Sequence, residues 1–139
     1  MCSSDLIAGA LSRLGVNPAT VTEEKPPPGL LCFQHFTPGD LVVGVAKVVG
    51  SAQRRQRGAL LQHGAILLAT SPYAPQMPGI RELTGRSLAT TEIISTLERE
   101  FASQTGWTVD AGDWTLNERP RIEELVQIKY SQPRWNLKR

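Results

Sequence analysis

Apolar residues near the start, Leu6, Ala10, Leu11 and Leu14, recur three or four positions apart, the spacing of a helix with one buried face. Gly15 follows and can take the left-handed position that closes a helix. Residues 17–31 contain Pro18 and Pro26-Pro27-Pro28 and read as a loop of extended character. Leu30-Leu31-Cys32-Phe33 reads as a short buried strand or its edge, and Pro38-Gly39-Asp40 as a turn. The apolar run Leu41-Val42-Val43 predicts a strand, Gly44-Val45-Ala46 a tight connection, and Lys47 to Gln53 the paired strand. A turn at Gln56 to Gly58 leads to a third strand, Ala59 to Leu68. Connections this short exclude parallel crossovers, so the three strands form an antiparallel meander.

Prolines and glycines make residues 70–89 mostly irregular. Ile93, Leu97 and Phe101, with Ile94 beside them, mark an amphipathic helix from Thr90 or Thr91 to just before Gly106. Trp107-Thr108-Val109 is a short strand candidate. Asn117 can cap a last helix with apolar positions Ile122, Leu125, Val126 and Ile128, and Pro120 fits only its first turn. The fold class expected is α/β of the α+β type. It has three helices flanking a partial mixed, largely antiparallel sheet of four or five strands, with a strand edge left unpaired.

With 139 residues the chain is at most one ordinary domain, and 40% hydrophobic with 20% charged residues places it among globular proteins. A net charge of +2 is too small to imply nucleic acid, so any charged binding patch must be local. No apolar stretch approaches the roughly 18 residues of a membrane span. The apolar start lacks the basic residues of a secretion signal, so the expected location is cytoplasmic. Cys2 and Cys32 form no metal-binding pattern; a disulfide between them stays open, but a cytosolic chain keeps both reduced and Cys32 reads as a free thiol. Residues 1–6 read as the translation of a sequencing adapter from a GUG start, with the domain expected over residues 7–139. The other reading is a native start in which Ser4 or Asp5 caps the first helix.

Several residues can carry chemistry, and each has a plainer reading. Lys47, among apolar strand neighbours, can neutralise an oxyanion or acyl-phosphate, or can snorkel from a solvent face. Gly50, followed by Ser51, marks a bulge or a close backbone approach to a ligand. Gln53 can bind an amide or carboxylate, or sit on the surface. Arg54, Arg55 and Arg57 can steer an acidic carrier, or form a solvated turn; no aromatic residue is interleaved to stack on nucleic acid. In Gln62-His63-Gly64 the histidine can act as an acid or base, although a satisfied core hydrogen bond is the reading we favour. Cys32 is either a nucleophile activated by a nearby lysine or a buried inert thiol, and His35 is a second candidate base.

Taken together these residues resemble one family. Cys32-Phe33, Asp40-Leu41-Val42-Val43, Lys47-Val48-Val49-Gly50-Ser51-Ala52-Gln53-Arg54-Arg55, Gly58 and Gln62-His63-Gly64 stand in its order and spacing, with Lys129-Tyr130-Ser131 and Trp135-Asn136 near the end. Over residues 7–139 the chain is similar to the C-terminal half of a biotin/lipoate protein ligase catalytic domain, most of all that of the cysteine-type octanoyltransferases. The resemblance implies that Cys32 accepts an octanoyl group from acyl-carrier protein and that a lysine of a lipoyl-carrier domain then takes it. Lys47 polarises the thioester, and Gly50, Ser51, Gln53, Gln62, His63 and Gly64 bind substrate. That reaction calls for no cofactor. The alternatives are an ATP- and Mg-dependent lipoate–protein ligase or a non-catalytic half of a split ligase. The family's Arg-Arg-x-Thr-Gly-Gly loop is absent, Val45-Ala46 replaces the usual Gly-Arg/Lys, and Phe33 to Gly39 departs from the commoner Ser-x-Tyr form. The chain by itself is therefore expected to be inactive.

Overall fold

Leu41-Val42-Val43 and the residues after Ala46 pair as the meander predicts, and everything else is arranged on that sheet. A computed structural model describes residues 3–24 and 31–137. They fall into two units, Met1–Thr108 and Val109–Arg139.

In the first unit α1 (Ser3–Arg13) leads to β1 (Ala19–Thr20), β2 (Leu41–Val43), β3 (Ala46–Gln56) and β4 (Ala59–Ile66). The sheet order is β1-β2-β3-β4, and each neighbouring pair is antiparallel. α2 (Ile80–Thr84) and α3 (Thr90–Thr105) complete the unit. The architecture is thus the α+β arrangement expected. β1 adds two residues of the proline-containing connection to the sheet, which periodicity could not show over so short a run.

One irregularity organises the sheet. Leu41 pairs with Val49 but Val42 pairs with Lys47, so Val48 is an extra residue, a β-bulge. Val48 and Val49 are both buried in consequence, whereas strict alternation would expose one of them. With Leu41 they meet Leu11 and Val16 of the α1 region and Ile80 of α2 in the core. Each of these side chains is worth about 1.5–3 kcal/mol of burial.

α1 also packs on α3. Gly9 makes this possible, since a Cβ there would lie 2.8 Å from Glu100 Oε1. Glu100 is buried on α3, accepts from Arg13 Nε at 2.5 Å, and accepts from Gln104 Nε2 at 2.8 Å. The buried stripe of α3 is Ile93, Thr96 and Glu100, while Ile94, expected beside the core, is 50% exposed because it lies off that stripe. Gly106, at φ 72°, closes the helix with its N–H on the Ala102 carbonyl.

Other expectations need correction. Leu31-Cys32-Phe33 is not a strand: Cys32–Gln34 is a 3-10 turn, while Leu30 lies outside the described residues. Gln34 explains the turn, because its N–H bonds the Leu31 carbonyl and its Oε1 accepts the Leu31 N–H, closing the backbone locally. The strands run further than expected on one side, with β3 reaching Gln56, and β4 stops at Ile66. Within residues 70–89, α2 forms because Glu82 accepts the Gly79 N–H, half of a capping box that the prolines masked. Trp107-Thr108-Val109 joins no strand; Trp107 instead meets Phe101 edge-on at 6.1 Å.

The second unit holds α4 (Glu118–Leu125), a π turn at Val126–Tyr130 and α5 (Pro133–Asn136). The expected helix is present, but Asn117 makes no side-chain cap. Thr115 and Glu118 cap instead: the Thr115 N–H donates to Glu118 Oε2 at 2.8 Å, and the Glu118 N–H donates to Thr115 Oγ1 at 3.3 Å. Lys129 lies 4.2 Å from the Trp135 ring centre and 4.9 Å from that of Tyr130.

Candidate functional site

The turn Thr37-Pro38-Gly39-Asp40 sets the site's acidic group. Gly39, at φ 95°, permits a reversal that brings the Asp40 carboxylate back over Thr37. The Thr37 N–H and hydroxyl donate to Asp40 Oδ2 at 2.7 and 3.0 Å, and the Val21 N–H holds the Asp40 carbonyl at 2.8 Å.

Register then supplies the base. Val42 opposes Lys47, and the bulge at Val48 turns Lys47 onto the face away from the core, where Asp40 also lies. Lys47 Nζ meets Asp40 Oδ2 at 2.7 Å, with the two side chains only 8% and 3% exposed. The ammonium also donates to the His35 carbonyl at 2.9 Å and to the Cys32 carbonyl at 3.4 Å. An ammonium has three protons, so all three are engaged, the one on Cys32 most weakly. Breaking a buried pair of this kind by removing one partner typically costs about 3–5 kcal/mol. The Phe33 ring centre stands 5.4 Å from Nζ and shields it.

Gly50 lies beneath this lysine. A Cβ there would meet Lys47 Cε at 2.9 Å and Nζ at 3.2 Å, so the missing side chain is the space the lysine occupies. The bulge, one of the two readings of Gly50, falls instead at Val48, and the space beside Gly50 is taken by the chain's own lysine.

Cys32 is a free, exposed thiol at the first position of the 3-10 turn, which excludes the buried inert reading. Cys2 lies outside the described residues. His35 Nε2 lies 3.1 Å from Glu24 Oε1 at the surface. Phe33, Phe36, Val45, Ala46, Lys47 and Met77 line an open, largely apolar pocket of about 280 Å³.

The pleat divides the other expected site residues. Ala52 opposes His63, two positions beyond Gly50, so His63 shares the face of Lys47; it is exposed and fills no core position. Ser51, Gln53, Gln62 and Gly64 share the opposite face. Gln53 Nε2 donates to Gln62 Oε1 at 2.7 Å, and a Cβ on Gly64 would fall 3.0 Å from the Ser51 Cβ. Gln62 Nε2 is buried without a hydrogen-bond partner among the described residues. Lys47 and Gly50 therefore come together with the backbone carbonyl of Cys32, whereas the four residues of the other face do not join them. Asp40 and Thr37 were assigned no role from sequence. The clue was present in the four-residue turn and in an aspartate two positions before the residue paired with the lysine.

Residues 3–81 match the sequence profile of the lipoyl protein ligase A/B catalytic domain. The chain belongs to this family. The octanoyltransferase LipM of Kyrpidia tusciae is 31% identical over 134 residues, covering 81% of this chain and 48% of the relative. That of Geobacillus kaustophilus is 29% identical over 136 residues, covering 83% and 49%. The chain thus spans about half the length of these curated relatives. Among solved structures, lipoate-protein ligase A bound with ATP superposes with a TM-score of 0.71 at 22% identity, over 96% of this chain and 56% of that one. A bipartite lipoate protein ligase from Thermoplasma acidophilum, described with its E2 lipoyl domain, gives 0.67 at 19% identity, over 94% and 54%. At such identities these two show the lipoyl ligase fold. No described helix is long and apolar enough to cross a membrane.

Proposed function

We propose that the chain carries the nucleophile and the oxyanion-stabilising cation of an octanoyl transfer in lipoate assembly. The observation that carries this reading is the buried ammonium of Lys47 reaching the backbone of the exposed cysteine. The Cys32 sulfur attacks the thioester carbonyl of octanoyl-acyl-carrier protein. Lys47 stabilises the oxyanion, exchanging its 3.4 Å contact with the Cys32 carbonyl for the substrate oxygen. Collapse expels the carrier's thiolate, which takes a proton, and leaves an octanoyl thioester on Cys32. The ε-amine of a lysine on a lipoyl-carrier domain then attacks, forming an amide and returning the cysteine thiol. Relatives named octanoyltransferase support the reaction, and the lipoyl domain described with the bipartite ligase supports the acceptor. Asp40 holds Lys47 in place and is a positioning residue.

The ligase fold of the structural neighbours favours a second reading, ATP-dependent ligation with Mg, in which Lys47 would face the phosphate and Cys32 would be incidental. Incubation with octanoyl-acyl-carrier protein, of this chain and of a relative spanning the whole catalytic domain, separates the two. We expect the relative to gain one octanoyl group, released by hydroxylamine and lost when the cysteine matching Cys32 becomes alanine. The 139-residue chain is expected to gain none, since it spans only about half the length of such relatives. Octanoyl-AMP made from ATP and octanoate, with no protein adduct, would overturn the transfer.

A further inference from the structure

β3 and β4 continue beyond the core as a two-stranded ribbon ending in a two-residue turn, Arg57-Gly58. Arg54, Arg55 and Arg57 are exposed there, and none has a charged partner among the described residues. From Leu41 to Arg81 the sequence contains no aspartate or glutamate. These three charges exceed the net +2 of the whole chain, so the remainder is net negative and the ribbon tip stands apart as a local positive field.

Each face of the tip combines charge with apolar surface. Arg54 opposes Leu61 and Arg55 opposes Leu60, and the two leucines are 61% and 54% exposed. Arginine is enriched at protein interfaces relative to the rest of the surface, and the two uncovered leucines add exposed apolar area beside it. No aromatic residue occurs from Leu41 to Ala69, so there is no platform on which bases could stack. Arg57 adds a further sign. It holds φ 51°, the only positive φ of a non-glycine among the described residues, at a position where asparagine or glycine relaxes the turn. The turn keeps a charge at some cost in backbone strain.

Arg54 also lies on the face of Lys47, on the order of 20 Å further along the strand at roughly 3.3 Å per residue. A domain of about 100 residues has a radius of gyration of roughly 13 Å, so one seated on the tip covers most of the distance to the lysine. We infer that the tip formed by Arg54, Arg55 and Arg57 is the docking surface for an acidic face of the lipoyl-carrier domain, with Leu60 and Leu61 as apolar anchors. This rests on the proposed place in lipoate assembly and adds the surface by which the acceptor is recognised.

The test is titration of the 139-residue chain with an unmodified lipoyl domain, followed by calorimetry, for the wild type, R54E/R55E/R57E, the milder R54Q/R55Q/R57Q, and Arg121→Gln, an exposed arginine of the second unit. Circular dichroism verifies that each variant is folded. Support consists of saturable binding that weakens with salt, falls at least about tenfold on charge reversal and less with glutamine, and survives at Arg121→Gln. Equal binding by wild type and charge-reversed chain overturns the docking surface. So does absence of wild-type binding, or tighter capture of acyl-carrier protein or single-stranded RNA by the same arginines. Octanoyl loading of Cys32 is read separately, as a mass increase on a relative spanning the whole catalytic domain. A failure of the thioester with docking intact therefore removes the transfer reading alone, and a failure of docking with the thioester intact removes this inference alone.

Discussion

Lys47 is held by geometry that three small facts create: a bulge at Val48, a glycine at 50 and a turn that returns Asp40 over Thr37. The glycine offers a clean separation of position from stability. In Gly50→Ala the new methyl meets the end of a flexible side chain, so the lysine moves and the sheet does not. We expect transfer by a full-length relative carrying the matching substitution to fall at least tenfold, with a melting temperature within about 4 °C of wild type, the shift about 1 kcal/mol gives in a small domain. A large loss of stability would show that the glycine serves the sheet itself. The place of Lys47 on a paired strand was legible because it stands in a long patterned run, whereas the 3-10 turn that carries Cys32 was read as a strand. The sides on which Ser51, Gln53, Gln62 and Gly64 fall were not legible, because one extra residue in a strand inverts every later side chain relative to those before it, and no spacing rule announces it. Asp40 escaped for a related reason: its role depends on the register of a strand it only precedes.

Among elements, the long amphipathic helix α3 and the β3–β4 hairpin were the most legible, since each repeats its pattern over several turns or pleats. Short elements decided by one hydrogen bond were not. The 3-10 turn hangs on Gln34, and α2 on Glu82. Glu82 does more than start α2: its Oε2 accepts the N–H groups of Thr70 and Gly79 at 2.8 and 3.0 Å, tying both ends of the loop that brings Met77 to the pocket beside Lys47. Burial pushes this carboxyl up, but the backbone bonds from Thr70 and Gly79 and the Arg81 guanidinium outweigh it and hold it at about 2, against an ordinary 4.5. Glu100 is also lowered, first by the bond from Gln104 and then by Arg13. Below 4.5 the unfolded chain takes up protons that these folded carboxylates refuse. The contribution of Glu82 is complete above 4.5 and declines as pH falls toward 2, and that of Glu100 declines in the same direction. We expect the melting temperature to drop through that window and the drop to shrink in Glu82→Gln; a variant with an unchanged acid profile would remove Glu82 from the account.

At the scale of the whole molecule, the matched family region, residues 3–81, contains the entire sheet and every residue placed around Lys47. What composition could not convey is how unevenly the surface is distributed, with a sealed core under β2 and β3 and a ribbon of arginine and leucine beyond it. Among the described residues β4 pairs only with β3, so its other side presents a row of free amide and carbonyl groups beside two uncovered leucines. Such a border is adhesive. Purified at high concentration, the chain should sediment faster as it is concentrated, and a proline placed at Gln62, whose pairing with Gln53 leaves its N–H on the outer side, should return it to a single slow species. A sedimentation coefficient independent of concentration would show that the ribbon guards its own border.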